Sequence, residues 1–189
     1  MTCRFNKIFQ RLFTTFILVI VFACYSQAQE LLGIATQWND SFAEWDVYTE
    51  EEQPDGILTL RWPTGRGWNQ WTYTVGENFG TIRQKWENDR STWELRSGTE
   101  LITMRAIWKN DFRQWRISGS GGQYDFICRY GNTWDEWQLR NGEDFFLVYT
   151  NWEGDPREWI IEDGVGNAYS FAEKMAMVFI AVFNSSPID

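Results

Sequence analysis

Histidine is absent from this chain of 189 residues. That absence excludes Ser-His and Cys-His nucleophile pairs, histidine-ligated metals and the commonest general base in enzymes. We therefore expect no catalytic residues, no metal site and no cofactor.

Cysteine and positive charge are scarce as well. Of the 3 cysteines, only Cys128 follows the predicted leader peptide, so we expect no intramolecular disulfide. Cys128 stands on the predicted apolar face of a strand, which indicates a buried thiol rather than a nucleophile. The chain contains 17 Lys and Arg residues and 26 Asp and Glu residues, which gives a net charge of −9. Nucleic acid is not an expected partner, because phosphate binding needs a local cationic excess.

Residues 1–28 have the features of a secretory signal peptide. Three cations precede an apolar run of about 13 residues, which is followed by small residues ending at Ala28. The run is too short to span a bilayer, which needs roughly 20 residues. We predict cleavage after Ala28 and export to the periplasm or the exterior. A lipoprotein modified at Cys24 is the alternative, because Val21 to Cys24 loosely resembles a lipobox.

Residues 29–189 form the predicted mature chain, which is long enough for a single domain with a substantial core. Loss of the three leader cations leaves 14 Lys and Arg against 26 Asp and Glu, a net charge of −12. All 13 tryptophans are in this part of the chain. Because no disulfide is expected, packing must supply the stability of the domain.

A short pattern occurs six times in the mature chain. Each copy ends in a tryptophan, and the last four steps between these closing tryptophans are each 22 residues: Trp45, Trp71, Trp93, Trp115, Trp137 and Trp159. An opening aromatic precedes each, seven residues earlier in five copies and nine in the second: Trp38, Trp62, Trp86, Trp108, Tyr130 and Trp152. Turn residues such as Asn88-Asp89 lie between the two, and turn glycines such as Gly98 follow. Each copy therefore reads as strand, turn, strand, turn.

Alternation along the strands assigns their faces. Residues four before the opening aromatics and two after the closing tryptophans are apolar, for example Ile82 and Leu95. Because a strand has a period of two, we expect both sets of aromatics on one apolar face and charged residues on the other. Six hairpins then give about twelve antiparallel strands, and a sheet of that length must curl. The predicted fold class is an all-β barrel of six hairpin repeats.

The apolar face of the sheet needs a partner, and the C-terminus supplies one. Ser170 and Glu173 form an S-x-x-E capping box before a segment that is apolar on all sides. We predict a buried hydrophobic helix over about 171–183. A final strand is the alternative, because β-branched residues occur near Val178.

Several segments resemble a known superfamily. Gly80 to Trp86 with Trp93 to Leu95, and the tail Met175 to Phe183 after a hairpin from Trp152 to Ile161, are similar to tubby-like proteins. That superfamily includes LURP-one-related proteins and phospholipid scramblases. The resemblance implies a twelve-stranded barrel threaded by a C-terminal helix, with a basic surface that contacts phosphoinositides. MORN-type hairpin repeats have a similar period and form a second, weaker resemblance, which does not require a buried terminal helix.

Trp68 and Trp134 do not fit the opening and closing positions, and they occupy or flank the second and fifth turns. A bulky ring at a turn has no packing role in this pattern, so we predict that both are exposed binding residues. Outward arginines form a possible cationic strip for lipid headgroups: Arg83, Arg96, Arg105, Arg116 and Arg140. The alternative is an ordinary solvated surface, in which carboxylates such as Glu94 are interspersed among the arginines.

The sequence predicts a non-enzymatic binding or structural module with an unidentified envelope or extracellular ligand. Carbohydrate binding through exposed tryptophans and association with envelope lipid or protein are the alternatives. We expect no strong membrane binding unless Cys24 is lipidated, because the net charge repels an anionic surface. Catalysis by the pair Asp135-Glu136 is disfavoured, since acidic residues recur at other hairpin tips, where they favour turns.

Overall fold

The computed structural model describes residues 29–49, 53–62, 67–141 and 144–187, apart from the side chain of Arg140. The predicted leader peptide 1–28, with Cys24, lies outside the described residues. The described chain forms twelve strands, a short 3-10 helix at Gly166–Ala168 and a C-terminal helix, α1, at Phe171–Ser185.

The strands all pair antiparallel with their neighbours along the chain. They are β1 Gly33–Trp38, β2 Ser41–Tyr48, β3 Gly56–Leu60, β4 Gln70–Val75, β5 Asn78–Trp86, β6 Asp89–Ser97, β7 Glu100–Trp108, β8 Asp111–Gly119, β9 Gly122–Cys128, β10 Glu136–Asn141, β11 Asp144–Trp152 and β12 Asp155–Asp163. Because β1 also pairs with β12, the sheet closes into a barrel. The predicted all-β barrel of about twelve strands is confirmed.

The connections between strands lie at the two ends of the barrel, alternating from one end to the other along the chain. Turns within a repeat, from an odd strand to the next even strand, form what we call the hairpin end, and the remaining connections form the linker end. At the hairpin end Asn88 and Asn110 have a left-handed backbone with φ of 62°, which asparagine tolerates better than most residues. The carboxylates of Asp89 and Asp111 accept hydrogen bonds from backbone N–H groups two residues on. Acidic residues therefore stabilise these turns.

The closing tryptophans line the barrel interior, where their exposed fractions are between 0% and 2%. The indole N–H of each one donates to the carbonyl oxygen three residues earlier, over distances of 2.7 to 3.4 Å. A buried indole N–H needs a partner, and each repeat provides one within its own hairpin. The prediction that these rings form the core is confirmed.

Helix α1 fills the interior of the barrel. Ser170 Oγ accepts a hydrogen bond from the Glu173 N–H at 3.1 Å, and the Glu173 carboxylate accepts one from the Ser170 N–H at 2.8 Å. This is the predicted capping box, and every residue from Ala172 to Phe183 is buried. The alternative of a final strand is wrong, because a closed barrel leaves no free edge for another strand to join.

Contacts at its termini show that α1 runs from the linker end to the hairpin end. The Glu173 carboxylate also accepts from the N–H of Gly121, in the β8–β9 turn, at 2.9 Å. A Cβ on Gly119 would overlap the Glu173 carboxylate, so the absence of a side chain there leaves room for it. At the other terminus Ser185 Oγ donates to the carbonyl oxygen of Trp134 at 3.0 Å. Within the described part of the chain, no helix has the length and apolar character needed to cross a membrane.

A buried ion pair joins α1 to the barrel wall. Lys174 Nζ lies 2.7 Å from Asp163 Oδ2, and the exposed fractions of the two side chains are 2% and 0%. The backbone N–H of Leu31 donates to the same carboxylate oxygen at 3.4 Å. The pair thus connects the first turn of α1 with the end of β12.

Candidate functional site

The opening aromatics are exposed, which corrects the prediction that they lie on the inner apolar face. Their exposed fractions are Trp38 58%, Trp62 52%, Trp86 61%, Trp108 58%, Tyr130 43% and Trp152 66%. Each belongs to an odd-numbered strand or follows it by two residues, and each precedes a connection at the hairpin end. Six exposed rings therefore encircle one rim of the barrel. We call this set the aromatic collar.

Irregular pairing next to the turns places the collar rings outside. In the β1–β2 hairpin Thr36 pairs with Trp45 and Trp38 pairs with Ser41, so one residue of β1 opposes three residues of β2. The same register shift occurs in the β5–β6, β7–β8 and β11–β12 hairpins. Bulges of this kind bend a strand and re-aim its side chains. Gln37 and Trp38 consequently both bond to outward side chains, although strict alternation would place them on opposite faces.

Contacts on the outer face hold the collar rings in place. The indole N–H of Trp38 donates to Glu44 Oε2, and that of Trp108 donates to Gln114 Oε1, each at 2.8 Å. Three further rings have a cation 5.3 to 5.9 Å from the ring centroid: Arg61 by Trp62, Lys85 by Trp86 and Arg129 by Tyr130. Neighbouring repeats are two strands apart, which separates adjacent rings by roughly 10 Å. Five of the six collar rings are thus separate platforms supported by polar side chains on the outer face.

Trp68 and Trp134 are half-buried, so the prediction that they are exposed is wrong. Both pack against the core, with ring centroids 5.6 Å from Trp71 and 5.9 Å from Trp137 respectively. The Arg113 guanidinium covers the Trp134 ring at 4.3 Å from its centroid. These two tryptophans close the hairpin end of the barrel beneath the collar.

The sequence contains a signal for this arrangement that the opening and closing positions alone do not reveal. Trp68 and Trp134 stand three residues before a closing tryptophan, and the equivalent residues of the six repeats are Phe42, Trp68, Arg90, Phe112, Trp134 and Pro156. The aromatic members pack on the closing tryptophan of their own repeat, and the carbonyl oxygen of each member accepts its indole N–H. Trp68 and Trp134 therefore belong to the repeat.

Carboxylates neutralise much of the predicted cationic strip. Glu94 lies 3.1 Å from Arg83, 3.2 Å from Lys85 and 3.8 Å from Arg96. Burial by itself would raise the pKa of Glu94, but hydrogen bonds from Arg83 and Lys85 outweigh it and hold that pKa below its ordinary range. The single carboxylate of Glu94 is thus shared by three cations, Arg83, Lys85 and Arg96.

The remaining residues of the strip differ from one another. Arg116 forms a two-bond contact with Asp125, at 2.8 and 3.1 Å. Arg105 is exposed and has no ion pair among the described residues. The side chain of Arg140 lies outside the described residues. Among the predicted binding arginines whose side chains the structure describes, Arg105 alone forms no ion pair.

A cleft of about 420 Å³ interrupts the collar between Tyr130 and β11. Its walls are formed by two tyrosines and by polar side chains: Tyr130, Asn132, Thr133, Asp135, Glu136, Tyr149, Thr150 and Glu153. Burial and the hydrogen bond to Glu162 raise the pKa of Tyr149, so its phenol stays protonated and donates to Glu162 at 2.9 Å. Glu136 forms an ion pair with Arg129, in which Glu136 Oε1 lies 2.5 Å from a guanidinium nitrogen. The carboxylates of Asp135 and Glu153 form no salt bridge with a described cation.

Cys128 is buried, as the sequence predicts, and burial raises the pKa of its thiol. Its sulfur lies 3.4 Å from the carbonyl oxygen of Thr133, beneath the β9–β10 connection. No group of three or more acidic or cysteine side chains with metal-binding geometry occurs among the described residues. Comparisons with known protein families, curated proteins and solved structures found no match.

Proposed function

We propose that this chain is a non-enzymatic binding module and that the aromatic collar is its contact surface. The observation that carries this proposal is the exposure of six large rings at one rim. Trp, Tyr and Arg dominate the energetics of binding surfaces, because their rings bury much area with little loss of side-chain freedom. Isolated exposed hydrophobic residues are common, but one at the same place in every repeat indicates a function for the rim.

Export of the module is part of the proposal. The residues that support it are the predicted leader 1–28 and the possible lipidation site at Cys24. The closed barrel around a C-terminal helix supports a relation to the tubby-like superfamily at the level of architecture.

An enzymatic function has less support. The chain contains no histidine, and carboxylates at the hairpin turns accept hydrogen bonds from the turn backbone, as Asp155 does from the N–H of Arg157. Their positions are therefore explained by turn stability.

Binding of anionic lipid is the second candidate, and Arg105 is the observation that favours it. The ion pairs of Arg83 and Arg116 oppose it, because a paired cation adds little attraction for a headgroup. We therefore expect no appreciable cosedimentation of the unlipidated mature chain with anionic liposomes at physiological salt. Saturable, salt-sensitive sedimentation that disappears in an R83E/R105E/R116E variant would instead favour lipid binding.

Cosedimentation of purified mature protein with envelope material of the producing cells tests the proposed contact surface. We expect the triple variant W86A/W108A/W152A to lose most of the sedimenting fraction and to keep its melting temperature within a few degrees. The matched control is F79A/L101A, which removes exposed apolar side chains of β5 and β7 at the opposite rim; Phe79 is 62% exposed, against 61% for Trp86. Equal sedimentation of the collar variant and the wild type would contradict the proposal.

A further inference from the structure

The collar consists of six separate platforms, with polar side chains beside the rings. A protein partner is usually held by a contiguous apolar centre from which water is excluded. A chain polymer is held differently, by stacking of successive flat units on aromatic rings along a track, as in proteins that bind single-stranded nucleic acid. The spacing of roughly 10 Å between neighbouring rings suits a polymer that runs along the rim.

Charge restricts which polymer can bind. Carboxylates occur at the turns directly beside the rings, for example Asp89, Asp111 and Glu153. Three cations near the rim pair with carboxylates, Arg129 with Glu136, Arg157 with Asp155 and Arg113 with Asp111, whereas Arg61, Arg90 and Lys109 form no ion pair with a described carboxylate. Nucleic acids, acidic polysaccharides and anionic bilayers therefore meet repulsion from the carboxylates beside the rings, and the net negative charge of the predicted mature chain adds to it. Neutral glycans remain, since a sugar ring offers a face of C–H groups for stacking and an edge of hydroxyls for hydrogen bonds.

The cleft beside Tyr130 adds the concave polar site that stacking alone lacks. It arises because the β9–β10 connection spans residues 129–135, whereas β5 and β6 are joined by residues 87–88 alone. Its volume of about 420 Å³ is within the range typical of small-ligand sites, roughly 300–1,000 Å³. Tyr130 supplies a ring that also belongs to the collar, Asn132 and Thr133 supply donors, and Asp135 and Glu153 supply acceptors that form no salt bridge with a described cation.

We propose that the ligand of the aromatic collar is a neutral polysaccharide and that the cleft beside Tyr130 holds one sugar unit of it. This inference rests on the proposed binding function of the collar and names the ligand class. The cleft recognises the sugar through hydrogen bonds at its hydroxyls. The other rings add affinity only for a chain long enough to reach them, because linked contacts act together.

Native gel electrophoresis in the presence of soluble polysaccharides tests the ligand class. The neutral polymers are hydroxyethylcellulose, mixed-linkage β-glucan and galactomannan; alginate and chitosan serve as anionic and cationic comparisons. We expect retardation by at least one neutral polymer, unchanged when salt is raised, since stacking and neutral hydrogen bonds are not screened. Retardation by the charged polymers alone, or by none, would overturn the inference. Loss of envelope sedimentation in the collar variant would still support the collar as a contact surface in that case.

Variants then separate the cleft from the rest of the collar. For W86A/W108A we expect at least about tenfold weaker binding of the polymer and unchanged binding of a short oligosaccharide of the same sugar, by calorimetry. For E153Q we expect at least about tenfold weaker binding of both, because a charged acceptor is lost from the cleft. F79A/L101A should match the wild type with both ligands. Two competitors of polymer binding complete the test, a tetramethylammonium salt and the short oligosaccharide. If the salt weakens binding of the polymer and the oligosaccharide does not, the cleft binds cationic ligands and the proposal is overturned.

Discussion

Within one repeat, identical residues have opposite environments. On the β5–β6 hairpin Trp86 is 61% exposed, whereas Trp93 is 0% exposed. Residue type does not distinguish them, and neither does alternation, which predicts the same face for both. The irregular pairing between Gln84 and Trp86 makes the difference. The sequence pattern therefore identifies the buried rings correctly but assigns the collar rings to the wrong side, because strict alternation requires regular pairing up to the turn.

The first prediction compares these two rings. Trp93 packs on Phe179 and Phe183 of α1, with centroid distances of 5.0 and 4.7 Å. Trp93→Ala should lower the free energy of unfolding by about 3–5 kcal/mol, because it leaves a cavity between strand and helix. Trp86→Ala should change it by less than about 0.5 kcal/mol. Urea denaturation of both variants measures the difference; similar losses would show that the collar ring also supports the fold.

A second prediction concerns the carboxylate shared by three cations. Because the pKa of folded Glu94 lies below its ordinary value of 4.5, ionised Glu94 stabilises the folded state above that value. This contribution is lost as pH falls through the lowered pKa. The stability advantage of the wild type over Glu94→Gln should therefore be present at neutral pH and shrink at about pH 3. Urea denaturation at both pH values measures it, and an advantage that grows on acidification would contradict the shared-carboxylate interpretation.

Hairpins and helix α1 were predictable because their signals are local. The 22-residue spacing, the turn asparagines and the capping box of Ser170 and Glu173 each specify short-range structure. Trp68 and Trp134 also have a place in the repeat, three residues before a closing tryptophan, but only the closed barrel shows that a ring at this place packs on the core. The cleft was not predictable for a related reason, since its wall combines the β9–β10 connection with β11.

The seam between β9 and β10 has the fewest residue pairs of any strand pairing among the described residues. In the described strands these two pair through Trp137 with Cys128 and Gln138 with Ile127, whereas β6 and β7 pair through six residue pairs. An opening of about 440 Å³ adjoins this seam, and the buried hydroxyl of Tyr124 beside it has no described hydrogen-bond partner.

Hydrogen exchange should detect this seam. We expect peptides that cover β9 and β10 to exchange faster than those that cover β6 and β7, because few ladder bonds must break for local opening. Mass spectrometry under native conditions measures the rates. Slower exchange at β9 and β10 than at β6 and β7 would show that the seam is closed in solution.

At the scale of the whole molecule, the barrel and its helix form one folding unit, since the closing tryptophans and α1 bury each other. Polar contacts at the linker end fix their relative position. Glu100 accepts hydrogen bonds from Ser120 Oγ at 2.6 Å and Ser170 Oγ at 2.8 Å, which joins two barrel turns to the start of α1. With its helix fixed at the linker end, the barrel presents the collar on a rigid rim. Rigid presentation favours binding, because less side-chain and backbone freedom is lost.

The buried pair Lys174 and Asp163 allows this coupling to be tested. Lys174→Met should lower the free energy of unfolding by about 3–5 kcal/mol, because it leaves an uncompensated buried carboxylate. That loss is a large part of a typical domain stability of about 5–15 kcal/mol. The double variant D163L/K174M should recover much of it, since an apolar pair of similar volume needs no desolvated charge.

Arg116→Met is the matched control for this pair. Arg116 contacts Asp125 at 2.8 Å, nearly the distance of the buried pair, but the two side chains are 46% and 39% exposed. Water therefore solvates the carboxylate that the substitution leaves behind, and the loss of stability should be far smaller than for Lys174→Met. Thermal and urea denaturation of all three variants provide the comparison. If Lys174→Met were as stable as Arg116→Met, burial of the ion pair would be disproved, and with it the attachment of α1 to β12 on which the position of the helix in the barrel depends.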